Sequence, residues 1–258
     1  MVGGEQTIRF SKPLPAGQAV TEKLGKQKEG RFRSTDLILS VASLALSELV
    51  TKTKDAEKML ASVPFSLRGF PETKADFDYH NDFACVPFWV NFPKNKETKE
   101  RVFVYDKDGK LDKSLLKETA LGAMSALSRR MKTSRAKFES IGWYYMMKYF
   151  IFLLRVPLAF KPKTVASYYH TVLSIVPGSR KTLSVGVEAE KGGDLQVTEL
   201  AYAVPGMGRV TCGISAITNG DNIQIGIMCD KSQFTEGRAD KFIKIYEELY
   251  TEIVKSLD

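Results

Sequence analysis

The sequence predicts an α+β fold, a mixed β-sheet flanked by helices, and three observations carry that expectation. A capped, near-continuously apolar run in residues 34–50 and apolar residues at helical spacing in 114–131 read as helices. From Tyr168 onward the pattern changes to β-branched, alternating runs separated by turn residues, and the chain closes on a further amphipathic helical stretch. A parallel βαβ array would alternate strand and helix throughout, which this order does not.

The elements follow in sequence. Residues 1–33 hold Pro13, Pro15, Gly17, Gly25 and Gly30 among many lysines, which predicts an extended lead-in with at most one short helix and little core. Residues 34–258 then form the main domain. In "STDLILSVASLALSELV", Ser34 is placed to cap a helix and Asp36 sits in its first turn, where a carboxylate complements the helix dipole. The near-continuous apolar residues after it predict a largely buried helix ending near Val50. "MLASVPFSLRGF" and "NDFACVPFWVNF" read as interior strands, the first interrupted by Pro64. Asp106-Lys107-Asp108-Gly109 makes a turn, and residues 114–131 an amphipathic helix with Arg129, Arg130 and Lys132 at its C-terminal end.

Residues 141–160, "IGWYYMMKYFIFLLRVPLAF", are apolar almost all round. Lys148, Arg155 and Pro157 argue against a membrane span, leaving a core helix, or an interfacial helix that docks on a membrane or partner through Trp143, Tyr144, Tyr145, Lys148, Phe152 and Arg155. "TVLSIVPGSR" is a buried strand that stops abruptly at Pro177-Gly178. "TLSVGVEA", "LQVTELAYAVP", "VTCGISAITNG" and "NIQIGIMCD" follow as strands, with Asn219-Gly220 marking a hairpin. The last helix carries Phe242, Ile245, Tyr246, Leu249 and Ile253 on one stripe.

With 258 residues, 43% hydrophobic and 26% charged, the chain can bury a substantial core. Lys and Arg total 38 against 30 Asp and Glu, and a net charge of +8 favours anionic partners. The cations are dispersed on helix faces and loops without a nucleic-acid motif, so nucleic acid is not an expected partner. Cys85, Cys212 and Cys229 lie in apolar strand contexts without CxxC spacing, which reads as free buried thiols in an intracellular, reducing compartment. No secretory signal opens the chain, and membrane-associated or organellar (mitochondrial) residence remains open.

Catalytic signatures are sparse. His80 and His170 are the two histidines, neither with metal-ligand neighbours, so no metal site is expected. No Walker loop, GxGxxG or GxSxG is present. His170 opens an apolar strand and reads as a structural imidazole rather than a general base, and Asp78 and Asp82 around His80 read as solvated charges.

Four segments in order resemble the C-terminal half of the wax ester synthase/diacylglycerol acyltransferase family, within the coenzyme A-dependent superfamily related to chloramphenicol acetyltransferase. "RFRSTDLILSVASLALSEL" is similar to the family's "tvNDvlLavvagALr" helix, "ASVPFSLRGF" to its "vPvSlR" strand, "NDFACVPFWVNF" to the strand after its "gN", and "TVLSIVPGSR" to its "SNVPGP" turn. Thr35, Ile175 and Ser179 depart from the family's Asn, Asn and Pro.

The resemblance implies one half of a two-part fold whose tunnels meet at a catalytic histidine between the halves. Asp36, Ser174, Val176, Pro177 and Gly178 would line substrate or channel; a plain strand-ending turn is the alternative for Pro177-Gly178. The family's HHxxxDG sequence, whose histidine takes the acceptor hydroxyl's proton, is absent, and the chain opens where a C-terminal half is expected to open. No catalytic residue is therefore assigned. Two functions follow: a noncatalytic accessory subunit of a larger, membrane-associated or soluble assembly, or half of a split O-acyltransferase whose histidine comes from another chain. Other protein subunits are expected partners and a membrane surface a further one. No cofactor is expected, and acyl-coenzyme A or lipid would bind only where the tunnel is retained.

Overall fold

Period-2 alternation and a glycine turn set the centre of the molecule. In the computed structural model, which describes residues 5–28, 30–49, 58–66, 83–95, 97–98, 100–136, 142, 171–176, 184–185, 195–204, 212–231 and 234–257, nine strands and four helices occur among the described residues. They are β1 (Gln6–Phe10), β2 (Leu14–Pro15), α1 (Gly17–Gly25), α2 (Ser34–Leu49), β3 (Lys58–Ser66), β4 (Phe83–Asn91) and α3 (Lys113–Ala136). β5 (Thr171–Val176), β6 (Ser184–Val185), β7 (Leu195–Gln196), β8 (Cys212–Asn219), β9 (Asn222–Asp230) and α4 (Glu236–Ser256) complete the order.

Seven strands form one mixed sheet in the order β1–β9–β8–β5–β3–β4, with β2 continuing the β1 edge along β9. β5 runs parallel to both neighbours, β8 and β3; the other pairings are antiparallel. The β8–β9 hairpin turns at Gly220-Asp221, where Gly220 takes φ +59°. The turn centre thus falls one residue beyond Asn219-Gly220, since a glycine at the first central position suits the right-handed twist of the strands. β3 keeps Pro64 inside the strand. Its ladder with β5 ends at Ser62, so the missing proline N–H leaves no gap on that side.

One face of the sheet carries the core. Ile223, Ile225, Ile227 and Cys229 of β9, Ile214 and Ala216 of β8 and Leu173 of β5 are buried there with residues of α2, α3 and α4. α2 packs on both α3 and α4 and is buried at twelve consecutive positions, Asp36 to Ser47, which explains its lack of a polar face. α4 presents the expected stripe: Phe242, Ile245, Tyr246, Leu249 and Ile253 are all buried. Tyr246 stacks 6.1 Å from Tyr250, and their hydroxyls donate to the carbonyls of Ile38 (3.3 Å) and Pro15 (2.9 Å). Each such side chain contributes about 1.5–3 kcal/mol by burial.

The leading residues, an extended stretch and one short helix, contribute more core than expected. β1 and β2 pair with β9, and Leu14, Val20, Leu24 and Phe32 enter the core. The start of α2 also differs. Arg33 supplies the capping carbonyl to the N–H groups of Asp36 and Leu37, and Asp36 Oδ2 accepts the Arg33 N–H at 2.9 Å; Ser34 is the first helical residue. The far end of α2 is closed by Arg101, whose Nε donates to Ser47 Oγ (3.0 Å) and whose Nη2 donates to the Ser47 carbonyl. Its guanidinium lies 4.9 Å from both the Phe92 and Phe103 rings. Among the described residues, the segments "TLSVGVEA" and "LQVTELAYAVP" contribute the two-residue strands β6 and β7, paired as a separate ribbon.

Candidate functional site

Alternation along β5 separates its side chains between the two sheet faces. Thr171 and Leu173 point to the core, so Val172, Ser174 and Val176 point the other way. The register carries this second face across the sheet. Ser174 aligns with Ser215, Ser215 with Gly226, and Gly226 with Phe10; Val172 aligns with Gly213, Gly213 with Met228, and Met228 with Ile8. On the other flank Val172 aligns with Ser62, and Leu60, two residues earlier on β3, lies opposite Trp89.

Four large apolar side chains are exposed among the described residues: Ile8 (41%), Phe10 (43%), Val176 (41%) and Trp89 (51%). All four lie on this second face. None of the described helices covers it. Lys58 Nζ stands over the Trp89 ring, 4.5 Å from its centroid, in a cation–π contact.

Residues 197–204 form a strap laid over β5, β8 and β9 without joining the sheet ladder. The Tyr202 hydroxyl donates to the Ser174 carbonyl at 2.6 Å, and Ser215 Oγ donates to the Tyr202 carbonyl. Asn219 Nδ2 holds the Val197 carbonyl at 2.7 Å. Two glycines make room for it. A Cβ on Gly213 would stand 2.7 Å from the Val204 carbonyl oxygen, and one on Gly226 2.7 Å from that of Tyr202. Burial raises the Tyr202 phenol above its ordinary pKa, so it is a neutral donor at physiological pH.

Of the residues singled out in the sequence, Ser174 and Val176 share this face at the carboxyl end of β5. Asp36 lies in the helical layer, its carboxylate engaged by the α2 cap. Pro177, Gly178, Trp143, Tyr144, Tyr145, Lys148, Phe152, Arg155, His80 and His170 lie outside the described residues, as do Asp78 and Asp82. Tyr202, Ser215, Gly213 and Gly226 are the site residues that sequence reasoning missed. Their available signal was a glycine inside each of two otherwise β-branched strands, which marks close approach of another backbone.

Chemically, the described part of this face offers carbonyls, hydroxyls and apolar carbon, and so can bind and orient. Glu199 at the strap is exposed and accepts from Gln224 Nε2 at 3.5 Å. A separate cleft of about 1020 Å³ opens between the end of α2, residues 103–109 and α4. Its acids are already engaged: Glu48 accepts the Val104 N–H, Glu248 the Tyr105 hydroxyl and Asp240 the Arg9 guanidinium. No group able to hold a metal ion occurs among the described residues, and no described helix is long and apolar enough to cross a membrane.

Comparison with solved structures finds this fold in two acyltransferases and an epimerization domain. A trichothecene 15-O-acetyltransferase from Fusarium sporotrichioides superposes with a TM-score of 0.62 at 14% identity, over 97% of this chain and 47% of that one. The epimerization domain of the third module of tyrocidine synthetase B gives 0.55 at 13% identity, over 98% and 48%. The wax ester synthase/diacylglycerol acyltransferase of Marinobacter aquaeolei VT8 gives 0.50 at 13%, over 97% and 49%. The chain therefore spans about half the length of these structures. No curated protein sequence matches it significantly. The model of the WS/DGAT C-terminal domain matches residues 114–253, from the start of α3 through β5, the strap and the β8–β9 hairpin to the end of α4. That match covers more than half of the chain, including the central strands β5, β8 and β9, and the protein belongs to the WS/DGAT C-terminal domain family.

Proposed function

We propose that the domain acts as a noncatalytic, acyltransferase-type scaffold, an accessory subunit docking into a larger assembly through the second face of its sheet. The observation that carries this reading is the gathering of Ile8, Phe10, Val176 and Trp89 on that one face. Scattered exposed apolar residues need no explanation, but four large ones on one sheet face suit a partner surface. The sequence adds support, since neither His80 nor His170 stands in an HHxxxDG motif. Two buried free thiols, Cys212 and Cys229, fit a reducing compartment.

Native purification tests this directly: the chain is expected in stoichiometric association with larger partners, and Phe10→Ser with Trp89→Ser is expected to release it. A monodisperse monomer would overturn the reading. So would transfer from acyl-coenzyme A to a long-chain alcohol or diacylglycerol by the isolated chain.

A second reading rests on β5, which runs parallel to both neighbours and ends at exposed Val176. The carboxyl ends of parallel strands are where open α/β sheets seat ligands. In this reading the domain contributes a channel for acyl-coenzyme A or lipid, and a histidine from another polypeptide takes the hydroxyl proton. Acyl transfer appearing only when copurifying chains are restored would select it over the first.

A further inference from the structure

β8 and β9 put two thiols directly opposite each other, Cys212 against Cys229. Antiparallel pairs alternate between those joined by backbone hydrogen bonds and those that are not. In the latter the Cα atoms approach to about 4.5 Å, within the roughly 4.4–6.8 Å that a disulfide spans. The class of this pair follows from Ile225. Its N–H donates to Ser11 Oγ at 3.0 Å and its carbonyl accepts the Ser11 N–H at 2.8 Å, so both turn away from β8. Ile225 and Ala216 therefore face each other without ladder bonds. Stepping by two, so do Ile227 with Ile214 and Cys229 with Cys212.

Both side chains point into the helix-side core, each residue 1% exposed and each a free thiol. The third cysteine, Cys85, is on β4, separated from β8 by β5 and β3.

We propose that Cys212 and Cys229 form a latent redox staple that a hydroperoxide closes into a cross-strand disulfide. One thiol, as thiolate, attacks the peroxide; the O–O bond breaks, giving a sulfenic acid and an alcohol, or water when the oxidant is hydrogen peroxide. The second thiol then attacks the sulfenic sulfur, the S–O bond breaks and water leaves. Two electrons pass from the thiols to the peroxide, and both thiol protons end on its oxygens. Burial raises the Cys212 pKa, which suppresses the thiolate and makes closure depend on transient parting of the strand ends. The staple pins the open end of the hairpin, opposite the Gly220-Asp221 turn.

The test is peptide mapping of the full chain after exposure to hydrogen peroxide, with remaining thiols alkylated under denaturing conditions. Residues 210–231 contain Cys212 and Cys229 and no internal Lys or Arg, so trypsin releases both in one peptide. That peptide is expected to lose two hydrogens and resist alkylation, a change distinct from oxygen gained at Met228, and to recover both thiols with dithiothreitol. Oxidised protein should melt on the order of 5 °C higher. Cys212→Ala and Cys229→Ala should each abolish both effects. A doubly alkylated wild-type peptide, or a disulfide that engages Cys85, would overturn the proposal.

Discussion

Replacing Gly226 by alanine tests whether the strap is seated on the sheet by close backbone approach. The new Cβ would lie 2.7 Å from the Tyr202 carbonyl oxygen and 2.9 Å from Phe10 Cε1, and closer still to Ser215 Oγ. Phe10 can swing away, because it is 43% exposed. The Tyr202 carbonyl cannot, since its residue is tied at both ends by the Ser215 hydroxyl and the Ser174 carbonyl. Overpacking of this kind costs about 1–3 kcal/mol, and displacing the Ser215 bond adds about 0.5–1.5 kcal/mol. The restricted unfolded chain returns about 0.4–1 kcal/mol. The net expectation is a loss of about 0.5–4 kcal/mol, centred near 2. Gly122→Ala is the matched control. That position is exposed within α3 and a Cβ there meets nothing within 4 Å, so helix propensity alone should make it more stable by about 1 kcal/mol. Urea unfolding reads both as midpoint shifts at unchanged slope. Equal midpoints for Gly226→Ala and wild type would refute the seating of the strap.

Further expectations concern α2 and α4. Arg101→Ala should lower stability by about 2 kcal/mol, through loss of charged hydrogen bonds to Ser47 and of packing between Phe92 and Phe103, measured by urea unfolding. Arg101→Lys should recover little, because an ammonium cannot both stack and fork. Asp36→Ala should lose about 1 kcal/mol of helix capping, and a binding defect beyond that in ligand titrations would assign the side chain a second role. Lys113 and Lys255, 2.7 and 2.8 Å from Glu252, hold its carboxyl below the ordinary value of 4.5. The folded state thus binds fewer protons, and this stabilisation is present above pH 4.5 and is lost as pH falls through the lower folded value. Glu252→Gln should melt earlier near neutrality and show a flatter Tm decline in acid.

The sequence was most readable where local pattern and tertiary packing agree. The α4 stripe repeats at helical spacing over about three turns, and its five anchors are buried. β1 falls in the stretch whose prolines, glycines and lysines point to a lead-in, and its pairing comes entirely from β9, more than two hundred residues away. The α2 cap was displaced by one position because Arg33 contributes through its backbone, which leaves no side-chain signature. Residues 197–204 alternate like a strand, yet their partners are the side chains of Ser215 and Asn219 and the Ser174 carbonyl. Alternation reports two-sided surroundings, and a strap between sheet and solvent has those as fully as a strand does.

The two sheet faces divide the work. On the helix side, Leu173, Ile214 and Ile225 are fully buried against a helical layer whose polar ends are closed by Asp36 and Arg101, so substitution there reads out as stability. On the opposite side, small residues recur down the middle of the sheet: Ser174, Gly213, Ser215 and Gly226. Small side chains give up apolar burial in a sheet interior, a loss of about 0.8 kcal/mol per methylene left out, and they pack well only when another surface is laid on them. The strap is that surface over β5, β8 and β9. Beyond its edges the side chains become large again at Ile8, Phe10, Val176 and Trp89, and there they are exposed. The transition from small and covered to large and uncovered marks the border at which the packing of the described residues ends, and it is there that any apolar surface laid on this face would bury the most carbon.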